Sequence, residues 1–197
     1  MSPELVTLDE DAYQRRRFLT FGGALIGGFV LPSSSLARTM SQTRAFQFRK
    51  LHLYNVATGE TFHEVYWEHG QYIDSALHRI NYFMRDIHSD AIHHIDSGLL
   101  NVLFRINLLT HNKRQINITS GYRSLQTNNR LISEGYPASP KSMHLLGKAV
   151  DFKMPGHALR QVHRIALSLH AGGVGYYPDA DFIHVDVGPV RRWAYEG

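Results

Sequence analysis

The sequence predicts an α+β fold, in which a small single domain has a central antiparallel sheet and flanking helices packed mainly on one side. Strand-like and helix-like segments follow one another in runs, without the regular alternation of a parallel α/β protein. The first predicted element of the domain is a β-hairpin, because two alternating segments, 51–55 and 61–67, flank a turn that contains Gly59.

The remaining elements follow from local patterns. Apolar residues recur at helical spacing after Asp74 and again after Asp96, so each aspartate is expected to cap a helix. Strands are expected where β-branched or apolar residues cluster, and helices where their spacing is helical. These further elements are a strand at 115–120, a helix from 124 to about 134, a strand at 149–154, a helix at 156–170, and strands near 174–177 and 182–187.

Residues 1–37 are predicted to be a twin-arginine-type signal peptide, which leaves residues 38–197 as the folded domain. Arg15, Arg16 and Arg17 precede an uncharged stretch, and Ala37 closes a small-residue cleavage pattern. The stretch is too short and too rich in glycine and serine to span a bilayer confidently, which takes about 20 strongly apolar residues. We expect cleavage after Ala37 and export to the periplasm. A retained N-terminal anchor and an amphipathic surface helix stay open.

Charge and cysteine content limit the classes of function. The whole chain carries +4, and residues 1–37 hold three arginines and four carboxylates, so residues 38–197 carry +5. Such a domain would be attracted to an anionic polymer such as the cell wall, or to anionic lipid. The basic residues are scattered, which disfavours nucleic acid as a partner. The absence of cysteine excludes disulfides, thiol chemistry and cysteine-ligated zinc. Any metal must therefore be held by histidines and carboxylates.

Two segments contain histidine and aspartate in spacings that suit a metal site. His144 precedes Asp151 by seven residues, with Gly147 between them, and His184 and Asp186 lie on one face of a predicted strand. Two histidines and one aspartate form a ligand set of the catalytic zinc type, which leaves a fourth position for water. From spacing alone, ordinary surface or core roles for these histidines stay open.

Three ordered motifs span about two fifths of residues 38–197. They are Ser-Gly-Tyr-Arg-Ser at 120–124, Ser-x-His-x-x-Gly-x-Ala-x-Asp at 142–151 and Phe-x-His-x-Asp at 182–186. Together they resemble the zinc D-alanyl-D-alanine peptidase family. The twin-arginine pattern, the Leu-x-Leu-x-Asn segment at 51–55 and the segment 172–177 make the sequence most similar to the murein endopeptidase K group of that family. The resemblance implies an α+β metallopeptidase with one zinc ion in an open groove.

The resemblance implies a role for each matching position. His144, Asp151 and His184 match the zinc ligands, Asp181 matches the catalytic carboxylate, and Arg123 matches the arginine that faces the scissile carbonyl. Many relatives have glutamate in place of the shorter aspartate at position 181. Two other readings stay open, that Asp181 is an ordinary loop residue and that Arg123 pairs structurally with a carboxylate.

Further residues have less defined roles. Asp186 is expected to orient a ligand histidine rather than to act as a fourth ligand. Ser142 is expected either to bind substrate or to shape the turn before His144. Tyr176, Tyr177 and Trp193 are expected to line a substrate cleft or to belong to the core.

The predicted function is hydrolysis of peptide cross-links in peptidoglycan by a zinc-activated water. The expected partners are peptidoglycan peptide stems and the twin-arginine translocation machinery, with the protein as a monomer and no nucleic acid involved. Two alternatives stay open: a D-alanyl-D-alanine carboxypeptidase and a non-catalytic, zinc-containing module that binds the cell wall. The sequence does not distinguish between types of cross-link.

Overall fold

Eight strands and four α-helices form a single α+β domain in the computed structural model, which describes residues 47–195. The predicted signal peptide at residues 1–37 lies outside the described residues. No helix within the described range is both long and apolar enough to cross a bilayer. The elements are β1 (Phe48–Asn55), β2 (Thr61–Glu68), β3 (Gln71–Tyr72), α1 (Asp74–Phe83), α2 (Ser97–Leu109), β4 (Ile116–Ser120), α3 (Leu125–Ser133), a 3₁₀ turn (Met143–Leu146), β5 (Ala149–Lys153), α4 (Leu159–Ser168), β6 (Gly173–Tyr177), β7 (Phe182–Asp186) and β8 (Arg191–Ala194).

The strands form one sheet in the order β3-β2-β1-β4-β5-β7-β6-β8. The prediction of an antiparallel sheet is wrong in part, because the sheet is mixed. β1 is parallel to β4 and β6 is parallel to β8, while the other neighbouring pairs are antiparallel. The first parallel pair arises because the chain crosses through α1 and α2 between β1 and β4, and such crossovers permit parallel pairing.

The local predictions differ from the structure mainly at helix starts. Asp96 caps α2 as expected, since its Oδ1 accepts a hydrogen bond from the Gly98 amide at 2.8 Å. The cap of α1 is Ile73 instead, and Asp74 is the first helical residue, where its charge favours the helix N-terminus. α4 begins at 159 rather than 156, because Gly156 has a φ of 87°, which is outside the helical region.

The sheet separates the apolar core from a polar face. Side chains alternate along each strand, so Val150 and Phe152 enter the core while Asp151 points to the opposite side. The same alternation in β7 buries Ile183 in the core and turns His184 away. α1, α2 and α4 contribute buried residues to this core, whereas α3 contributes none. The helical layer thus covers one face and leaves the other for polar side chains.

Candidate metal centre and cleft

His144 is fixed by a short 3₁₀ turn that Ser142 begins and Gly147 ends. The Ser142 hydroxyl accepts a hydrogen bond from the His144 amide at 3.3 Å, which caps the turn. Gly147 has a φ of 64°, and a Cβ there would overlap the carbonyl oxygen of His94. Only glycine tolerates both the positive φ and the close carbonyl oxygen, which explains the glycine three residues after His144. Ser142 also borders the cleft, so a contact with substrate stays open.

Asp151 and His184 are brought together by strand pairing. Asp151 on β5 lies directly opposite His184 on β7 in the antiparallel register. Directly opposed side chains on one face of such a pair have Cβ atoms about 4.5–5.5 Å apart. His144 reaches the same point from the preceding turn, and the three residues are 1%, 5% and 7% exposed for His144, Asp151 and His184 respectively. The structure therefore assembles the three predicted ligands in one buried cluster.

The N–H groups of both histidines point away from the centre of the cluster. His144 Nδ1 donates to the Gly121 carbonyl at 2.6 Å, and His184 Nε2 donates to Asp186 Oδ2 at 3.0 Å. These bonds leave His144 Nε2 and His184 Nδ1 facing each other at 3.1 Å. Asp151 Oδ1 lies 3.2 Å from the first nitrogen and 2.8 Å from the second. Three electronegative atoms this close repel one another unless a cation, either a proton or a metal ion, lies between them.

The donor set and its spacing fit a tetrahedral metal ion. Nitrogen and oxygen ligands lie about 2.0–2.2 Å from zinc, so two ligands of a tetrahedral site are about 3.3 Å apart. The separations within the cluster are close to this value. Hydrogen bonds from the outer nitrogens to a carbonyl and a carboxylate are the usual support for metal-bound histidine. Among the described residues, this cluster is the one group of histidines and carboxylates with such convergence.

Electrostatics keeps the aspartate of the cluster ionised. Burial alone would raise the pKa of Asp151, but the neighbouring His144 and His184 outweigh it and hold that pKa well below its ordinary value. Burial lowers the pKa of His144, and Asp151 offsets this only partly. For His184 burial also acts to lower the pKa, yet hydrogen bonds with Asp151 and Asp186 prevail and raise it. An anionic oxygen therefore faces the two ring nitrogens.

Asp186 supports His184 from outside the cluster. Its Oδ1 accepts hydrogen bonds from the Gly173 and Gly188 amides at 2.9 and 2.8 Å, and Arg191 Nη2 donates to its Oδ2 at 2.6 Å. Burial would raise the pKa of Asp186, but these bonds and the one from His184 hold it well below the ordinary range. The carboxylate is thus fully engaged, and it contacts His184 at the nitrogen that faces away from the cluster.

Arg123 lies beside the cluster and bonds to one of its members. Its Nη2 donates to Asp151 Oδ2 at 2.6 Å, and its Nε donates to Ser120 Oγ at 2.9 Å. The side chain is 15% exposed and borders the cleft. The structure therefore places Arg123 next to the cluster, while its role towards a substrate carbonyl stays a prediction. It also shows the pairing with a carboxylate that the sequence left open.

Asp181 is not brought together with the cluster. Its amide donates to the Pro178 carbonyl at 3.2 Å in the turn between β6 and β7, and its φ is 52°. Its Oδ2 lies 3.5 Å from Lys153 Nζ, and the side chain is 67% exposed. It borders a smaller cavity at the end of β5 rather than the cleft that contains the cluster. The role of Asp181 as catalytic carboxylate stays a prediction.

The cluster lies in the wall of a cleft of about 1040 Å³. Loop residues after α3 form one side of this cleft, and β8 brings Arg191 and Trp193 to the other. β8 had no sequence signal that we used, so the strand was missed, although Trp193 was expected to line a cleft or to belong to the core. Tyr177 borders the cleft, whereas Tyr176 on the opposite side of β6 stacks on His163 of α4.

Comparison with known proteins agrees with the geometry. The family described as peptidoglycan L,D-endopeptidase MepK matches residues 43–193. The peptidoglycan L,D-endopeptidase MepK of Escherichia coli (strain K12) is 39% identical over 186 residues, which cover 94% of this chain and 100% of that protein. The probable peptidoglycan L,D-endopeptidase MepK of Haemophilus influenzae is 36% identical over 182 residues, covering 91% of this chain and 95% of that protein.

The matches extend well beyond the three motifs, over nearly the whole chain. The resemblance to the zinc peptidases and to their murein endopeptidase K group is therefore confirmed. This chain belongs to the peptidoglycan L,D-endopeptidase MepK family.

Proposed function

We propose that this protein is a zinc-dependent peptidoglycan endopeptidase that hydrolyses peptide bonds of L,D configuration. The observation that carries the proposal is the buried cluster of His144, Asp151 and His184 in a chain matched over residues 43–193 by this family. In such a bond the acyl side comes from an L-centre and the amine from a D-centre. A cross-link between two diaminopimelates has this configuration, whereas one from D-alanine to diaminopimelate does not.

Three atoms would hold the zinc ion: His144 Nε2, Asp151 Oδ1 and His184 Nδ1. When bound, zinc would supply a Lewis acid that polarises a carbonyl and lowers the pKa of a water ligand towards about 7. Zinc is favoured over magnesium or calcium because two of the three donors are imidazole nitrogens. The remaining coordination position would face the cleft, as in other catalytic zinc sites.

The residues around these ligands keep them in place. The Gly121 carbonyl and the Asp186 carboxylate hold the two histidine rings in the tautomers that direct a lone pair to the centre. Arg123 balances the charge of Asp151. The family resemblance implies that the remaining N–H groups of Arg123 face a substrate carbonyl. A permanent positive charge there would stabilise a developing oxyanion.

The proposal keeps Asp181 as the group that takes and returns a proton. This role rests on the motif match alone. The contact with Lys153 gives it no geometric support. The variant Asp181→Asn tests the role, because the amide cannot accept a proton while its size is unchanged. If Asp181 acts as the base, kcat falls by about 10²–10⁴-fold and zinc content is unchanged. Unchanged kcat would exclude the role.

The size of the cleft leaves room for the substrate of an endopeptidase. A volume of about 1040 Å³ is at the upper end of ordinary ligand sites, which hold about 300–1,000 Å³. A cross-linked substrate continues on both sides of the bond and needs such room, whereas a carboxypeptidase needs a closed end that holds a free carboxylate.

We also propose the cellular context. Peptidoglycan lies outside the cytoplasm, so a peptidoglycan hydrolase must be exported, and the twin-arginine pattern at residues 15–19 suggests the route. The expected location is the periplasm, with the signal removed after Ala37 and the enzyme acting as a monomer. Mass determination of the periplasmic protein would test cleavage after Ala37. Loss of the protein from the periplasm after Arg15 and Arg16 are both changed to lysine would test the export route.

The decisive experiment uses purified muropeptides and zinc-loaded protein. We expect dimers joined through two diaminopimelates to yield monomers, and dimers joined through D-alanine to react far more slowly. Separation of the products by liquid chromatography with mass spectrometry distinguishes the alternatives. Loss of a terminal D-alanine alone would indicate a carboxypeptidase. Retention on sacculi without any product would indicate a wall-binding module.

A further inference from the structure

Trp193 lies across the cleft face of β6. A Cβ added at Gly175 would lie only 2.6 Å from Trp193 Cε2, so the indole occupies the space above this glycine. Gly175 is directly opposite His184 in the sheet, and the rings of His184 and Trp193 are 5.1 Å apart. The indole therefore covers the strand immediately beside a predicted metal ligand.

The indole N–H fixes the phenol of Tyr177. Trp193 Nε1 donates a hydrogen bond to Tyr177 Oη at 2.8 Å, and the Tyr177 ring stacks on Phe182 at 4.4 Å between centroids. Tyr177 is 9% exposed and borders the cleft. The stack holds the face of the Tyr177 ring and the hydrogen bond holds its oxygen, which lies on the side of the sheet that carries the cluster.

The hydrogen of this phenol remains available. Trp193 uses the oxygen as an acceptor, and among residues 47–195 the Tyr177 O–H donates no hydrogen bond. Burial raises the pKa of Tyr177, the Trp193 N–H offsets this in part, and the charges of Asp151 and Arg123 also act on it. The phenol is therefore protonated at neutral pH, and Tyr177 borders the same cleft as Asp151 and Arg123.

The site needs a donor of this kind. Arg123 uses its Nε on Ser120 and one Nη on Asp151, so part of its donor capacity is already engaged. Hydrolysis of a peptide bond places negative charge on the former carbonyl oxygen. A donor that is oriented before the reaction stabilises this charge without the cost of reorganisation.

We infer that Tyr177 is a catalytic residue that donates a hydrogen bond to the carbonyl oxygen of the scissile bond as charge develops there. Trp193 is a positioning residue, because it holds the phenol oxygen and directs the free hydrogen into the cleft. This inference rests on the proposed endopeptidase function and adds to it a residue outside the three family motifs.

The test is the variant Tyr177→Phe, which removes only the hydroxyl. Loss of one oxyanion donor lowers kcat by about 10²–10³-fold. We expect that fall in kcat on a cross-linked muropeptide, with KM within about twofold, because the hydrogen bond strengthens only in the transition state. Zinc content, measured by atomic absorption, is expected to equal that of the wild type.

The matched control is Tyr176→Phe on the same strand. Tyr176 points to the helical side, where it stacks on His163 at 4.7 Å, so its kcat and KM are expected to be unchanged. A tetrahedral phosphinate analogue of the substrate provides a second readout by calorimetry. Tyr177→Phe is expected to weaken binding of this analogue by about as much as it lowers kcat.

Three outcomes would overturn the inference. Tyr177→Phe with wild-type kcat and wild-type affinity for the phosphinate would show that the hydroxyl has no catalytic role. Loss of zinc or a lowered Tm in this variant, but not in Tyr176→Phe, would show a structural role instead. A wild-type protein that hydrolyses no muropeptide would contradict the proposed function itself, and the role of Tyr177 with it.

Discussion

The two faces of the sheet at β5 and β7 are buried to nearly the same extent but differ in composition. On the helical side Phe152 and Ile183 are each 0% exposed, and on the cleft side Asp151 and His184 are 5% and 7% exposed. Burial of apolar surface stabilises the fold, whereas burial of charged groups costs desolvation energy that their mutual contacts only partly recover. Adjacent residues of one strand therefore serve stability and chemistry separately.

The largest expected effect comes from the cleft face. His184→Ala removes one of three ligand atoms, and we expect activity to fall by more than about a thousandfold, since a metal ion contributes several kcal/mol to such catalysis. The free energy of unfolding of the metal-free protein is expected to change little. Muropeptide hydrolysis, zinc content and urea denaturation measure the three quantities. Full activity with zinc retained would remove His184 from the metal site.

The matching change on the core face is Phe152→Ala. Truncation of a buried phenylalanine leaves a cavity, and we expect the free energy of unfolding to fall by about 3–5 kcal/mol. The fraction that remains folded is expected to bind zinc. If this variant lost zinc while its unfolding midpoint in urea stayed the same, the assignment of stability to the core face and of metal binding to the cleft face would be wrong.

Asp186→Asn tests the support of His184 with a smaller change. Both carboxylate oxygens accept hydrogen bonds, Oδ2 from Arg191 and His184 and Oδ1 from the Gly173 and Gly188 amides, whereas an amide has one oxygen and cannot accept at both places. Loss of a partner of a metal-bound histidine lowers metal affinity by about 10–100-fold, and we expect a loss in this range. Competition with a chromophoric chelator measures it. The exposed carboxylate of Glu68, changed to Gln, is the control and should leave the affinity unaltered.

Asp86→Asn concerns a buried carboxylate whose contacts are structural. Asp86 accepts from the Ser124 amide at 2.8 Å and the His88 amide at 2.9 Å, and thereby ties the loop after α1 to the start of α3. We expect a loss of about 1–3 kcal/mol in the free energy of unfolding at pH 7. Urea denaturation as a function of pH measures this difference.

The pH dependence of that difference has a definite sign. Burial would raise the pKa of Asp86, but hydrogen bonds from Ser124, Thr127 and His88 prevail and hold it well below the ordinary value. A carboxylate with a lowered pKa in the folded state stabilises fully above its unfolded pKa of about 3.9. The advantage of wild type over Asp86→Asn is therefore expected to shrink as pH falls below about 4. An advantage that grew on acidification would contradict the assignment.

The sequence predicted what depends on local patterns. The hairpin, the cap at Asp96 and the three residues of the cluster, His144, Asp151 and His184, all follow from spacing or motif within a few residues. Pairing between distant strands is not encoded locally, so the parallel pairs β1–β4 and β6–β8 were missed. The direction of a strand in a sheet depends on how the intervening chain crosses, which the composition of the strand does not record.

The same limit explains why the contact between two residues of the cleft was not predicted. Tyr177 and Trp193 were each expected to line a cleft or to belong to the core, but Trp193 reaches Tyr177 only because β8 pairs with β6. Asp181 shows the converse, since a match in spacing placed it near the ligand His184 while the turn before β7 directs its side chain to Lys153. Residue spacing constrains distance along the chain, but a turn decides the direction of a side chain.

The position of β8 gives the site an order of assembly. Ribosomes make a chain from its N-terminus, so Arg191 and Trp193 are synthesised after every residue of the metal cluster. Until they dock, Asp186 lacks the guanidinium that pairs with it and Gly175 lacks its covering indole. The strand that completes the cleft is thus the last described strand to be made.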